Sequence, residues 1–376
     1  MAKSRTNFKG KFIAATLSVF ALLPLANAQV TESKGLKNIY SEEFLVGTMV
    51  QPEIFMRENA RFNALLSTEF NSLVSGNEFK WLFIHPTRTH YDFTYPDAFV
   101  AYGESRGMHL QGHVLVWHSQ FPPSLFLTED GEQISAEDLD TKLEEHISTI
   151  VGRYKGRIDA WDVVNEAFNE AGWENNKWYQ ILGESYVEKA YSYAHAADPN
   201  AELVYNDYGL ANEAKRDVVL ENLGKLKNQG VPIHAVGLQG HFGLTEPALD
   251  EIEDAIVDIA QQGFRVHVSE LEVDVLPSIS FDTAPDYAPE LDPYREGLPD
   301  DVQAALAQRY QDIFEVFIKH SDKIDRVTFW GTHDGESWKN DFPIEGRINY
   351  PLLFDRYLNK KPAYKVISAL KAGEGK

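Results

Sequence analysis

The chain has 376 residues, a net charge of −22 and no cysteine, with 43% hydrophobic, 12% aromatic and 24% charged residues. This composition excludes disordered, collagen-like and polytopic membrane proteins, and its acidity argues against nucleic acid or an anionic membrane surface as a partner. Without cysteine there is no disulfide scaffold, no thiol catalysis and no cysteine-ligated metal.

Lys3, Arg5, Lys9 and Lys11 precede an apolar run from Phe12 to Ala26, which closes on Ala26-Asn27-Ala28, a small-x-small cleavage pattern. The pattern predicts a secretory signal peptide over residues 1–28 and a secreted or periplasmic location. A membrane anchor is the alternative, but the run is shorter than the ~20 residues a spanning helix needs. Cleavage would remove four basic residues and no acid, shifting the net charge from −22 to −26. Residues 29–376 carry no Pro/Ser/Gly linker and read as one domain, expected to be monomeric.

Eight short apolar runs follow in order, read as strands one to eight. They start near Phe44-Leu45-Val46, Asn71-Ser72-Leu73, Gly112-His113-Val114, Ala160-Trp161-Asp162, Leu203-Val204-Tyr205, Ala235-Val236-Gly237, Val266-His267-Val268 and Val327-Thr328-Phe329. Helical periodicity lies between them. Leu139, Leu143, Ile147 and Ile150 make one face over Ala136 to Tyr154, and Ile252, Ile256 and Ile259 another over Leu249 to Ile259. Trp178 to Ala196 and Arg216 to Leu226 read likewise, and Gly230 and Gly263 stand where left-handed helix caps are expected. Eight β/α units predict the α/β class and a (β/α)8 TIM barrel. An open doubly wound sheet is the competing layout, but no Gly-rich phosphate loop follows the first strand. Asp274 to Pro299, rich in proline and acid, is expected to overhang the barrel face after strand seven.

Barrel strands converge on one pocket at their C-terminal ends. Here those ends carry Asn77, Glu78, Lys80 and Trp81 (strand two), His113, Trp117, His118 and Gln120 (three), and Asn165 and Glu166 (four). Asn206, Asp207 and Tyr208 follow (five), then Gln239 and His241 (six), Glu270 and Glu272 (seven), and Trp330, His333 and Trp338 (eight). Strands that only packed would end in Val, Ile or Leu, since buried polar groups cost desolvation unless they serve a ligand or one another. Two glutamates, Glu166 and Glu270, amid indole faces and hydrogen-bonding side chains, suit a sugar whose C–H faces stack while its hydroxyls bond. Paired carboxylates are the usual machinery of glycoside hydrolysis.

In these blocks the sequence resembles the endo-β-1,4-xylanases of glycoside hydrolase family 10, over about residues 35 to 372. Trp161-Asp162-Val163-Val164-Asn165-Glu166-Ala167 is similar to the segment that carries the family's general acid/base, and Ser269-Glu270-Leu271-Glu272 to its Thr-Glu-Leu-Asp nucleophile segment. Gly112-His113 through Gln120, Val236-Gly237-Leu238-Gln239-Gly240-His241, and Thr328-Phe329-Trp330-Gly331 with Asp334, Ser337 and Trp338 match further blocks. The resemblance implies a retaining xylanase acting on xylan and xylo-oligosaccharides without metal or cofactor. It makes Glu166 the acid/base and Glu270 the nucleophile, with His241 orienting Glu270 and Asn165 on the sugar 2-hydroxyl, both helping to keep Glu270 charged. It places Asn77, Lys80, His113, Trp117, Gln120 and Gln239 in the sugar site, Trp330 and Trp338 on the glycone side and Tyr208 on the aglycone side.

Three positions depart from the family pattern. Gly76 replaces the glutamate expected before Asn77, which should weaken the second glycone subsite and leave space for a substituent on the xylose. Glu272 lengthens the acid after the nucleophile, and Lys339 stands where arginine is common; both changes are expected to touch substrate preference more than chemistry. Other readings stay open at this stage: a barrel glycosidase for β-glucan or mannan, a metal-dependent barrel isomerase or lyase, and a secreted sugar-binding protein. Ca²⁺ could bind the acidic segment 274–299, although a solvated acidic surface describes it equally well.

Overall fold

The computed structural model describes residues 1, 34–57, 59–279 and 286–371. The signal peptide expected over residues 1–28 lies outside the described residues, Met1 aside.

All eight expected strands form. They run Leu45–Val50, Ser72–Ser75, His109–Val116, Ala160–Asn165, Glu202–Asp207, Ala235–Leu238, Arg265–Asp274 and Ile324–Phe329. Each pairs in parallel with the next, and strand eight pairs with both strand seven and strand one, which closes the barrel. Nearly every strand residue is buried, because a parallel sheet wrapped by helices has no wet face. A three-residue strand, His241–Gly243, pairs with the far end of strand seven and extends the sheet toward its C-terminal mouth.

The helices pack their apolar stripes on this cylinder. Ala136–Arg153 buries Leu139, Leu143, Ile147 and Ile150, and its Ser135 cap accepts from the Asp138 amide. Leu249–Gln261 buries Ile252, Ile256 and Ile259, and Glu213–Asn228 covers the expected third helix. Gly230 and Gly263 follow helix ends with φ of 91° and 77°. The predicted helix from Trp178 to Ala196 is two helices, Lys177–Leu182 and Ser185–Ala197. Gly183 divides them in the left-handed region at φ 65°, where its missing Cβ removes the steric penalty.

Two further glycines set the barrel's spacing. A Cβ at Gly112 would stand 2.2 Å from the Trp161 ring. One at Gly237 would stand 2.2 Å from Asn206 Oδ1. Both clear room for a side chain of an adjacent strand.

At the opposite end of the barrel the buried Arg326 donates to His109 Nδ1 (3.0 Å) and His267 Nδ1 (2.9 Å), plugging the floor with polar groups. The described part of 274–299 is tied down beside the loop after strand eight. Asp274 accepts from Lys339 (3.1 Å) and Asn349 (2.9 Å), and Asp292 from the Ile348 amide (3.0 Å) and Arg295 (3.0 Å). Asp292 is 3% exposed. These two acids therefore serve internal bonds rather than forming a solvated surface.

Candidate active site

The strand ends gather around two carboxylates. Glu270, near the middle of the long strand seven, is buried and its amide donates to Gln239 O (2.7 Å). Its Oε2 meets His241 Nε2 at 3.1 Å, and its Oε1 accepts from Asn206 Nδ2 at 2.7 Å. Burial alone would raise its pKa, but the histidine and the amide outweigh it and hold the carboxyl below its ordinary value.

His241 faces a second acid, with Nδ1 2.8 Å from Glu272 Oε1. Burial opposes its charge, yet the two glutamates push the imidazole up to about 9. At neutral pH it is an imidazolium donating to both sides. Glu272 Oε1 also accepts from the Trp338 indole (2.7 Å) and lies 3.6 Å from Lys339 Nζ. The lengthened acid thus reaches the same histidine that contacts Glu270, with Lys339 standing against it.

The amide that touches Glu270 is Asn206, not Asn165 as expected. Ser269 donates to Asn206 Oδ1 (2.6 Å), which turns the Asn206 NH₂ toward both Glu270 and Asn165 Oδ1 (2.9 Å). Asn165 is one bond further back because strand register sets Asn206 between it and strand seven. The serine at position 269 therefore helps position the amide that donates to Glu270.

Glu166 ends strand four with φ 57°, a left-handed turn that lifts its side chain from the strand path. Its Oε2 accepts from Trp117 Nε1 (2.7 Å) and its Oε1 from Gln239 Nε2 (3.0 Å), while His118 Nε2 stands 3.9 Å away. Trp117 and Gln239 are thus hydrogen-bond donors to a carboxylate as well as walls. Gln239 also reaches Asn165 Oδ1 (3.3 Å), so amides link the two glutamates in one chain.

The remaining expected residues complete the pocket. Lys80 donates to Asn77 Oδ1 (2.9 Å) and stands 5.2 Å from the Trp117 ring. Burial pulls its pKa down to about 8 against the pull of Glu270, Glu78 and Glu166. His113 Nδ1 is 2.9 Å from Asp162 Oδ2, and Gln111 donates to the same carboxylate (2.6 Å), which fixes the ring's tautomer. The His113 ring meets Trp330 edge-on at 5.4 Å, and Trp330 packs with Met49, Val74 and Trp338. At Gln120, φ is 47° and the backbone carbonyl accepts from the Leu82 amide (2.9 Å). Tyr208 is half exposed, with Lys215 Nζ 3.3 Å from its ring centre. A 470 Å³ cavity lined by Gly209, Leu238 and His241 adjoins this side.

Two strand-end residues turn away. Trp81 stacks on His146 at 3.5 Å, and His333 packs edge-on against Phe62. A Cβ at Gly76 would lie 2.8 Å from Gln51 Nε2 and 3.0 Å from Met49 Sδ, atoms toward the ends of flexible side chains that can shift. On sequence alone Glu272 is expected to touch substrate preference, whereas Asp162, within a motif, and Asn206, at a strand end, carry no expected role. Their cross-strand register, invisible in one sequence, supplies it.

Among the described residues, Glu202, His267 and Asp325 bring potential metal-ligating atoms within 4.8 Å of one another on the barrel floor. Arg265 already donates to Asp325 (2.9 Å) and Arg326 comes within 4.0 Å of Glu202, so guanidinium groups supply the positive charge there.

His241 carries a testable pH dependence. Its folded pKa of about 9 lies above the free value of 6.5, so its contribution to stability is complete below about pH 6.5 and is lost as pH rises through about 9. The gap in melting temperature between the protein and His241→Asn should therefore shrink from pH 6.5 to 9. A gap that widens over that window would contradict the charged assignment.

Comparison with known proteins agrees with this geometry. The model of glycosyl hydrolase family 10 matches residues 35–370. The chain is 38% identical over 356 residues to endo-1,4-beta-xylanase A of Xylanibacter ruminicola, covering 93% of this chain and 96% of that one. It superposes with TM-score 0.86 and 47% identity on a family 10 endoxylanase from a sugarcane soil metagenome, covering 90% of this chain and 99% of the other. It also superposes with TM-score 0.81 and 31% identity on a mutant protein in complex with xylotriose, over 89% of this chain and 99% of that one. The closed barrel, the paired carboxylates and the match over almost the whole described chain lead to one conclusion: this protein belongs to glycosyl hydrolase family 10.

Proposed function

We propose that the protein is an endo-β-1,4-xylanase that cleaves xylan and xylo-oligosaccharides by double displacement with retention. The observation that carries the reading is the unequal surroundings of the two glutamates. Glu270 lies against an imidazolium and an amide that favour its charged form. Glu166 is hydrogen-bonded by an indole and a neutral amide, with His118 beyond hydrogen-bond reach at 3.9 Å. Of the two, only Glu270 is hydrogen-bonded to a cation, which suits it to the nucleophile's role and leaves proton transfer to Glu166.

Glu270 attacks the anomeric carbon while Glu166, protonated, donates its proton to the leaving oxygen. The C–O bond to the aglycone breaks as the ester to Glu270 forms. Glu166, now a carboxylate, takes a proton from water, and the water oxygen displaces Glu270 from the opposite face. Trp330 and Trp338 offer stacking faces on the glycone side. Lys80, Asn77 and His113 offer hydrogen bonds to the sugar at the cleavage point.

Substrate reach follows from Gly76. With no carboxylate there, the second glycone sugar loses a charged acceptor, and the neutral Gln51 amide stands nearest the vacated position. Gly76→Glu should raise kcat/KM on xylotriose by about tenfold, the worth of one hydrogen bond to a charged group. No gain on xylotriose would remove Gly76 as the cause of a weak subsite. The reaction itself is tested by proton NMR of xylohexaose in the first minutes of cleavage. New reducing ends should appear first as the β-anomer. An α-anomer first would overturn retention, and no cleavage would overturn the substrate.

A further inference from the structure

Glu166 holds a left-handed backbone that is unfavourable for any residue with a Cβ. Such a turn persists only when its flanking peptides are fixed. The Glu166 amide donates to Asn206 O (2.9 Å), an ordinary bond between neighbouring strands. The next amide, that of Ala167, has a side-chain partner instead: it donates to the Tyr205 hydroxyl at 3.0 Å.

That hydroxyl starts a buried chain. Tyr205 donates to Asp207 Oδ2 at 2.5 Å, and Asp207 Oδ1 accepts from Lys215 Nζ at 2.7 Å. Tyr205 and Asp207 are fully buried, and Lys215 is 4% exposed. Burial pushes the Asp207 carboxyl up to about 7 even with Lys215 beside it. An ion pair buried to this degree is weak as a stabiliser compared with apolar packing. Its hydrogen bonds are not to the Glu166 carboxylate, whose partners are Trp117 and Gln239. They end on the peptide immediately after Glu166.

We propose that Tyr205, Asp207 and Lys215 form a positioning relay that locks the left-handed turn at Glu166 and so keeps its carboxyl aimed at the glycosidic oxygen. Lys215 orients Asp207, Asp207 orients the tyrosine hydroxyl, and the hydroxyl's lone pair holds the Ala167 amide. The relay moves no proton to the substrate; it acts on direction alone. The proposal rests on Glu166 being the acid/base.

A misaimed acid slows only those substrates that need protonation, whereas general damage slows all. Tyr205→Phe, Asp207→Asn and Glu166→Ala are to be compared on a phenyl and a dinitrophenyl β-xylobioside, reading kcat/KM and melting temperature. Tyr205→Phe should lose about tenfold or more on the phenyl substrate and less than about twofold on the dinitrophenyl one, with Asp207→Asn following in the same sense. Equal losses on both substrates, or none on either, would overturn the relay. Should Tyr205→Phe fail to fold, Asp207→Asn is judged by the same criterion. Glu166→Ala separates the two ideas. If it is selective for the phenyl substrate and the relay variants are not, the relay alone falls; if it is unselective, the acid assignment falls and the relay with it.

Discussion

A half-buried imidazolium between two buried carboxylates is the interaction on which the rest of the site depends. Removing charged groups from water is costly, and their mutual attraction and hydrogen bonding offset much of that cost. His241 bonds Glu270 on one side and Glu272 Oε1 on the other, and Glu272 Oε1 also accepts from the Trp338 indole and stands 3.6 Å from Lys339 Nζ. Loss of one partner from such a set leaves an uncompensated charge, a cost of about 3–5 kcal/mol. The arrangement holds the Glu270 carboxyl below its ordinary value despite its burial. It also ties Trp338, a wall of the sugar site, to the same electrostatic unit.

The barrel makes this unit possible. Parallel closure brings the C-terminal ends of eight strands to one mouth, and register decides which of their side chains meet. Strand five carries much of that work. Asn206 bridges the two catalytic strands, while Tyr205 and Asp207 on either side of it face the opposite way and hold the end of strand four. Alternation along one strand thus points one side chain at Glu270 and its neighbours toward the backbone after Glu166. Gly237 is the matching concession on strand six, giving up a side chain so that Asn206 fits.

Much of this was legible in the sequence for a physical reason. Polar and aromatic residues closing apolar strands are expensive, so their recurrence marked the mouth of the barrel and brought out Glu166, Glu270, His241, Lys80 and His113. The barrel itself followed from eight alternating beats. What stayed hidden depends on contacts between strands. Asn165 and Asn206 are both strand-end amides, and nothing in the chain says which of them faces Glu270. Asp162 sits inside an apolar strand and takes its meaning from His113 on the strand beside it. The neighbour of Gly76, Gln51 from the loop after strand one, shows only in three dimensions. The break at Gly183 was masked by apolar periodicity on both sides of it. The polar floor of Arg326, His109 and His267 was missed because its members lie at strand beginnings or within an apolar run.

The central claim is that Glu270, held charged by His241 and Asn206, forms the covalent bond to the sugar. Its most direct test is trapping with a 2-deoxy-2-fluoro-β-xylobioside bearing an activated leaving group, followed by mass spectrometry of the proteolysed enzyme. The fluorine slows both steps while the leaving group rescues the first, so the glycosyl-enzyme accumulates. The account predicts one fluoroxylobiosyl group per chain, on the peptide containing Glu270 and localised to that residue. A label on Glu272 or Glu166, or an active enzyme that acquires none, would contradict it.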